Sequence, residues 1–176
     1  SESAYKRAEK ALREREEMFR TIVETAKDAI IMMDGEGRIS YWNPAAEEIF
    51  GYASQEAIGK ELTMIIPERY HKDYRTGFSA FKGTGQGPAI GRLVESESIK
   101  KNGTECPVEI SISAIQIKGQ WHSVGIARDI TGRKCMEASL KESLRKYRML
   151  FEIEREAVML IDSKTQRFLD VNRAAE

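Results

Sequence analysis

"DAIIMMDGEGRISYWNPAAEEIFGY", residues 28–52, holds three structural signals in succession. "DAIIMMD" and "GRISYW" are short runs rich in apolar or β-branched residues, and the "DGEG" between them suits a tight hairpin turn. In "NPAAEEIFGY", Asn43 is placed to cap a helix, Pro44 fits its first position and Gly51 its end. The reading is strand, turn, strand, helix.

Upstream, Tyr5, Ala8, Leu12, Phe19, Ile22 and Ala26 follow 3-4-3-4 spacing over residues 4–27, with Arg15 as one polar break. The remaining positions are mostly Lys, Arg and Glu, and so narrow an apolar stripe predicts a second helix as its partner.

Downstream, "SQEAIGKE" begins with a serine placed to cap another helical turn. "PERYHKDYRTGFSAF" predicts a longer helix with His71, Tyr74 and Phe78 on one face, and "KGTGQG" a flexible connector. Three strands follow. "AIGRLVESESI" is joined to "ECPVEISISAIQI" by "KKNGTE", whose Asn102-Gly103 pair signals a type I′ hairpin. Val108, Ile110, Ile112 and Ala114 alternate with Glu109, Ser111 and Ser113, so one face is buried and the other wet. "QWHSVGIARDI" is the last strand, after a short turn at Lys118-Gly119. This order predicts an α+β fold, an antiparallel five-stranded sheet with its helices gathered on one side.

After Thr131 the helical period returns: Leu140, Leu144, Tyr147 and Phe151 keep 4-3-4 spacing. The sequence then resumes its earlier theme as "EAVMLIDSKTQRFLDVNRAAE". Aligning Phe19-Arg20 with Tyr147-Arg148 sets Ala29 on Ala157 and Asp34 on Asp162, and one extra turn residue then sets Asn43 opposite Asn172. So long a repeat signals tandem domains rather than a solenoid. We expect an N-terminal amphipathic helix over 1–27, a complete domain over 28–133, a linker helix over 134–156 and the truncated start of a second domain over 157–176, in a chain cut from a longer protein. That last segment, lacking a sheet of its own, is expected to be mobile or to pair with another chain's edge.

Composition limits the function. Of 176 residues, 41% are hydrophobic, and 28 Lys plus Arg balance 28 Asp plus Glu, which removes the electrostatic case for nucleic acid or an anionic membrane as main partner. No apolar run or N-terminal leader signals a membrane span or secretion, and a cytoplasmic location is expected. Cys106 and Cys135 cannot build a zinc quartet. His71 and His122 lie far apart in sequence, and no nucleophile elbow, H-E-x-x-H or C-x-x-C occurs. "GTGQG" lacks the strand-loop-helix setting of a dinucleotide site. A small-molecule enzyme is the alternative from a different class; the expectation is a non-enzymatic input module.

The stretches "DAIIMMDGEGRISYWNPAAEEIFGY", "KKNGTECPVEISIS" and "VGIARDITGRK", in this order over about residues 16–134, resemble the PAS sensory domains of bacterial and archaeal signalling proteins. The resemblance implies a five-stranded sheet in the order 2-1-5-4-3, short helices on one face, and a small pocket for a ligand or cofactor. It implies that Asp129-Ile130-Thr131 couples the last strand to the outgoing helix. It further implies a sensory and dimerising module of a sensor histidine kinase or diguanylate cyclase, adjoining further PAS and output domains in the same polypeptide. The homodimer is expected through the flanking helices, with Phe19 and Ile22 or Leu140 and Leu144 at the seam.

Flavin is not expected, since the reactive Asn-Cys-Arg motif of the light-sensing branch does not occur. Heme is the alternative cofactor. His71 resembles the heme-iron ligand of oxygen-sensing PAS domains, and Arg92 stands where some of them place an arginine contacting oxygen. Gly77 and Gln86 replace the basic residues used near the propionates, and Arg75 is the substitute. Strand alternation places Arg92 on a face with Ile90 and Val94, and the expected pocket lies between the His71 helix and Ile90, Val108, Ile110, Val124 and Ile126. Without heme, His71 should bond a neighbouring group and Arg92 should pair with Glu95 or Glu109.

Overall fold

The computed structural model describes residues 2–153 and 156–174, which fall into two compact units, residues 1–131 and 132–176. The first unit runs through α1 (Glu2–Thr25), β1 (Ala29–Met33), β2 (Ile39–Trp42), α2 (Pro44–Phe50), α3 (Ser54–Ala57) and two 3-10 turns (Leu62–Ile65 and Glu68–Tyr70). It continues with α4 (His71–Thr84), β3 (Leu93–Ile99), β4 (Glu105–Ile117) and β5 (Gln120–Asp129). The sheet has the order β2-β1-β5-β4-β3 with every pairing antiparallel, as expected.

Side-chain parity decides which face is covered. Register sets Ala29 opposite Ala127 and Ala127 opposite Ile110; Ile31, Gly125 and Ile112 form the next row of that face. Against it pack Ala46 and Phe50 of α2, Ala57 of α3 and Ile65 of the first 3-10 turn, with Trp42 and Phe50 at 5.5 Å between ring centroids. Full burial of a side chain such as Phe50, 0% exposed, stabilises by about 2–3 kcal/mol. Small residues on β1 and β5 leave room for those two large rings. Cys106, 3% exposed, belongs to the same cluster, and burial pushes its thiol up despite Lys100 nearby.

Three local expectations are corrected. Ser54 does not cap α3: Ala53 is the N-cap residue, and the Glu56 carboxylate accepts its backbone N–H. At Asn102-Gly103 only Gly103 is left-handed (φ 83), so the loop is not type I′. Its Gly103 N–H donates to Lys100 O, and Thr104 N–H donates to Asn102 Oδ1. The two-residue turn with both central residues left-handed is Lys118-Gly119, φ 49 and 79. The expected connector "KGTGQG" is helical through Thr84, because α4 continues until the left-handed Gly85 ends it.

In the second unit, α5 (Thr131–Ile153) precedes a two-stranded antiparallel sheet of β6 (Met159–Ile161) and β7 (Phe168–Val171). The expectation that this segment has no sheet of its own is therefore corrected. Asn172 closes the hairpin: its Oδ1 accepts Val158 N–H, and its own backbone N–H donates to Val158 O.

Candidate functional site

The resemblance places the sensing residues around α4. His71 is the first residue of α4, and its Nε2 lies 2.7 Å from Ile66 O and 3.2 Å from Thr63 O. Facing two carbonyls, Nε2 must be the protonated, donating nitrogen. On the same face, Phe78 stands over Gly37 of the β1–β2 turn and Tyr74 reaches the sheet: Tyr74 donates its hydroxyl to Met33 Sδ at 3.4 Å, and burial, followed by the Glu61 charge, pushes its pKa up to about 12.

The expected pocket wall does not assemble as drawn. Val108 is fully buried in the core and Ile110 packs partly buried against it, both on the inner face. Ile90 is half-buried and only bridges Ile112. Ile126 is 44% exposed, because it pairs with Ile30 on the opposite sheet face; Val124 pairs with Met32 on that same face. Arg92 is exposed, one residue before β3 begins, since the left-handed Gly91 (φ 70) interrupts the expected strand. A heme ligand needs the Nε2 lone pair and a dry space on its far side. With Nε2 donating to Ile66 and Arg92 outside the sheet, this donor set does not fit the group. Among the described residues, no group of three or more His, Cys, Asp or Glu could hold a metal ion. A recess of about 660 Å³ lies elsewhere, between Tyr52, Glu56, Lys60, Glu61 and Met64, and its rim is charged.

The second constellation is the exit from β5. Asp129 Oδ1 accepts both the Thr131 backbone N–H (2.9 Å) and the Thr131 hydroxyl (2.6 Å), fixing the first residue of α5. Its Oδ2 takes Lys100 Nζ at 3.3 Å, from the turn between β3 and β4. Ile130 is 3% exposed, and its N–H donates to Pro107 O. Burial opposes ionisation of Asp129, but the Thr131 bonds and Lys100 together hold its pKa below the usual carboxylate range. All three expected relay residues thus meet at one junction with the β3–β4 hairpin. That hairpin is held again by Arg69, which sends NH1 and NH2 to the Glu105 carboxylate (2.5 and 2.7 Å) and also bonds Glu97.

A third constellation was visible in the sequence only as a cap. Asn43, 0% exposed, accepts Ile30 N–H (2.8 Å) and Ala46 N–H (3.0 Å) at Oδ1. Its Nδ2 donates to Val23 O (3.0 Å) and Asp28 O (3.1 Å). One amide therefore ties the end of α1 to β1 and α2. Asp28 also receives Arg128 in a two-pronged ion pair (3.0 and 2.8 Å), linking the start of β1 to the end of β5. The Arg128 hydrogen bond lowers the Asp28 pKa against a smaller opposing effect of burial. The sequence signal was available: an Asn that caps one helix can offer its amide to the preceding one.

Comparison with known proteins agrees with this architecture. The family model described as the PAS fold matches residues 17–130. The sensor protein FixL of Bradyrhizobium diazoefficiens is 34% identical over 139 residues, covering 78% of this chain and 27% of that protein. The cell-division control histidine kinase PdhS of Brucella abortus is 39% identical over 72 residues, 39% of this chain and 7% of that one. Among solved structures, the PAS domain of an HTR-like protein from Haloarcula marismortui superposes with a TM-score of 0.59 at 25% identity, covering 71% of this chain and 99% of that one. The chain thus spans about a quarter of the length of FixL and far less of PdhS. By the matched model, the relatives and the strand order, the chain belongs to the PAS family.

Proposed function

We propose that this chain is the sensory and dimerising input module of a multi-domain signal-transduction protein, a sensor histidine kinase or a diguanylate cyclase. Residues 1–27 form its incoming helix, 28–133 the sensory domain, 134–156 the linker helix, and 157–176 the start of a second PAS domain. A ligand at the α4 side of the sheet alters the β3–β4 hairpin, and Asp129, Ile130 and Thr131 pass the change to α5. No residue of the module performs catalysis in this reading, and the partners are a second copy and the following domains of the same polypeptide.

The observation that supports the relay is Asp129, whose carboxylate binds the start of α5 with one oxygen and the β3–β4 turn with the other. A few kcal/mol of differential ligand binding is enough to bias two helix packings of similar free energy. In the full-length protein, Asp129→Ala is expected to uncouple output from signal while the circular dichroism spectrum stays native. Output that still follows the signal in that variant would sink the relay. The heme alternative is tested separately by adding hemin to the purified chain. A sharp Soret band that His71→Ala abolishes would require His71 to leave Ile66 and would replace this reading.

A further inference from the structure

The apolar stripe on α1 is unpartnered. Tyr5, Leu12, Phe19 and Ile22 are 72%, 60%, 53% and 58% exposed. Yet the end of the same helix is firmly docked: Val23 is 5% exposed, and its carbonyl is held by Asn43. The domain covers the flank carrying Val23 and leaves the stripe free. Writing Tyr5, Leu12 and Phe19 as heptad a positions makes Ala8, Arg15 and Ile22 the d positions, and Glu9, Glu16 and Val23 the e positions, of which the domain covers Val23. The g positions, Ala4, Ala11 and Met18, are uncharged.

Arg15 is the single polar d residue, and Glu16 follows it directly. The ion pairs of α1 use other faces, Lys10 with Glu14 and Arg13 with Glu17. Among the described residues, neither the Arg15 nor the Glu16 side chain makes a hydrogen bond or ion pair, and both residues are exposed. In a parallel, in-register pair, a d side chain packs against the d and e residues of the facing helix. Arg15 then meets Glu16 of the second copy, and the symmetry makes two such contacts. An antiparallel pair instead brings e against e, setting glutamates Glu9 and Glu16 together. The same frame shifted by 128 residues places Met136, Leu140, Tyr147 and Leu150 on a seam of α5, with Arg133, Ser143 and Leu144 at the positions of Tyr5, Arg15 and Glu16. A polar d residue at that level therefore recurs in the helix ahead of the second hairpin, without the charge pair.

We propose that α1 pairs in parallel with α1 of a second copy of this chain, and that reciprocal Arg15–Glu16 contacts form a polar layer that fixes the register. This rests on the dimeric reading above and specifies its seam. A polar layer lowers the stability of the pair in return for a single alignment, which suits a helix whose packing must shift with a signal.

Charge exchange tests it. Arg15→Glu and Glu16→Arg each set like charges across the seam, and the double variant restores opposite ones. Sedimentation equilibrium of the 176-residue chain should show each single variant weakening the dimer about tenfold or more, with the double variant recovering most of the loss. Phe19→Cys in a Cys135→Ser background should form an interchain disulfide on mild oxidation, as only parallel, in-register helices bring two a positions at the same level together. Leu12→Asp, with helix content checked by circular dichroism, separates the failures. If it dissociates the dimer while the charge variants are neutral, the polar layer is wrong and the α1 dimer stands. If Leu140→Asp dissociates the dimer and Leu12→Asp does not, the seam lies on α5 and the proposal falls. A wild-type chain that is monomeric at high micromolar concentration overturns both the proposal and the dimeric reading.

Discussion

Asn43 shows how much one side chain can carry. It satisfies two donors and two acceptors from three elements at a position with 0% exposure. Asn43→Ala orphans buried backbone groups and is expected to cost about 2–4 kcal/mol, read as a lower urea midpoint. Asn43→Asp keeps the shape but turns a donor toward the carbonyls of Val23 and Asp28 into an acceptor, and should be worse at neutral pH than in mild acid. Asp129 gives a second residue-scale test, with its sign set by linkage. Its folded pKa lies below the ordinary 3.8, so its stabilisation is complete above that value and is lost as pH falls through the folded pKa. The melting-temperature gap between wild type and Asp129→Asn is therefore expected to be constant from about pH 7 to pH 5 and to close below about pH 4. A gap that widened in acid would contradict the assignment of Thr131 and Lys100 as its stabilising partners.

At the scale of elements, α4 is clasped to the turn between β1 and β2. Lys82 Nζ reaches Glu36 at 2.8 Å, and the Phe78 ring covers Gly37, where a Cβ would stand 2.6 Å from Phe78 Cζ. Gly37 is also left-handed (φ 82). Gly37→Ala is expected to destabilise by about 1–3 kcal/mol in thermal melts. Phe78→Leu in the same chain should recover the steric part but not the backbone part, leaving a positive coupling in a double-mutant cycle. Element order was legible in the sequence because turn residues and alternation agree there, and the sheet order followed from the family resemblance. Facing on β5 was not. Val124 and Ile126 are its most apolar pair, which predicts an inward position for both, whereas Ser123, Gly125 and Ala127 face the helices. A central strand carries apolar residues on both faces, so hydrophobicity alone cannot set its parity, and small inward residues are what Trp42 and Phe50 require. Arg92 failed for a different reason: a glycine inside a strand-like run, Gly91, is a left-handed turn. The bond from His71 to Ile66 depends on how the preceding 3-10 turn closes, which spacing does not encode.

Across the whole chain, the two hairpins obey one hydrogen-bond scheme. Ile30 N–H donates to Asn43 Oδ1, and Val158 N–H to Asn172 Oδ1; Asn43 Nδ2 donates to Asp28 O, and Asn172 Nδ2 to Glu156 O. Asp34 and Asp162 each accept two backbone N–H groups within their turns. The second turn absorbs its extra residue by placing Gln166 in the left-handed region (φ 56). The difference is in what covers them. β1 is paired on both sides, by β2 and β5, while among the described residues β6 pairs only with β7. Met159, Phe168 and Leu169 are consequently 53%, 65% and 60% exposed. An apolar two-stranded sheet with a free edge is marginal in water and attracts other chains. Chains ending after residue 156 are therefore expected to bind less of the apolar dye ANS and to show less concentration-dependent association. The five-stranded sheet has its own core of Ile31, Trp42, Phe50 and Val108, so its melting temperature should move by no more than about 2 °C. Loss of that melting transition on truncation would mean that the second hairpin supports the first domain, and the two-unit reading would have to be abandoned.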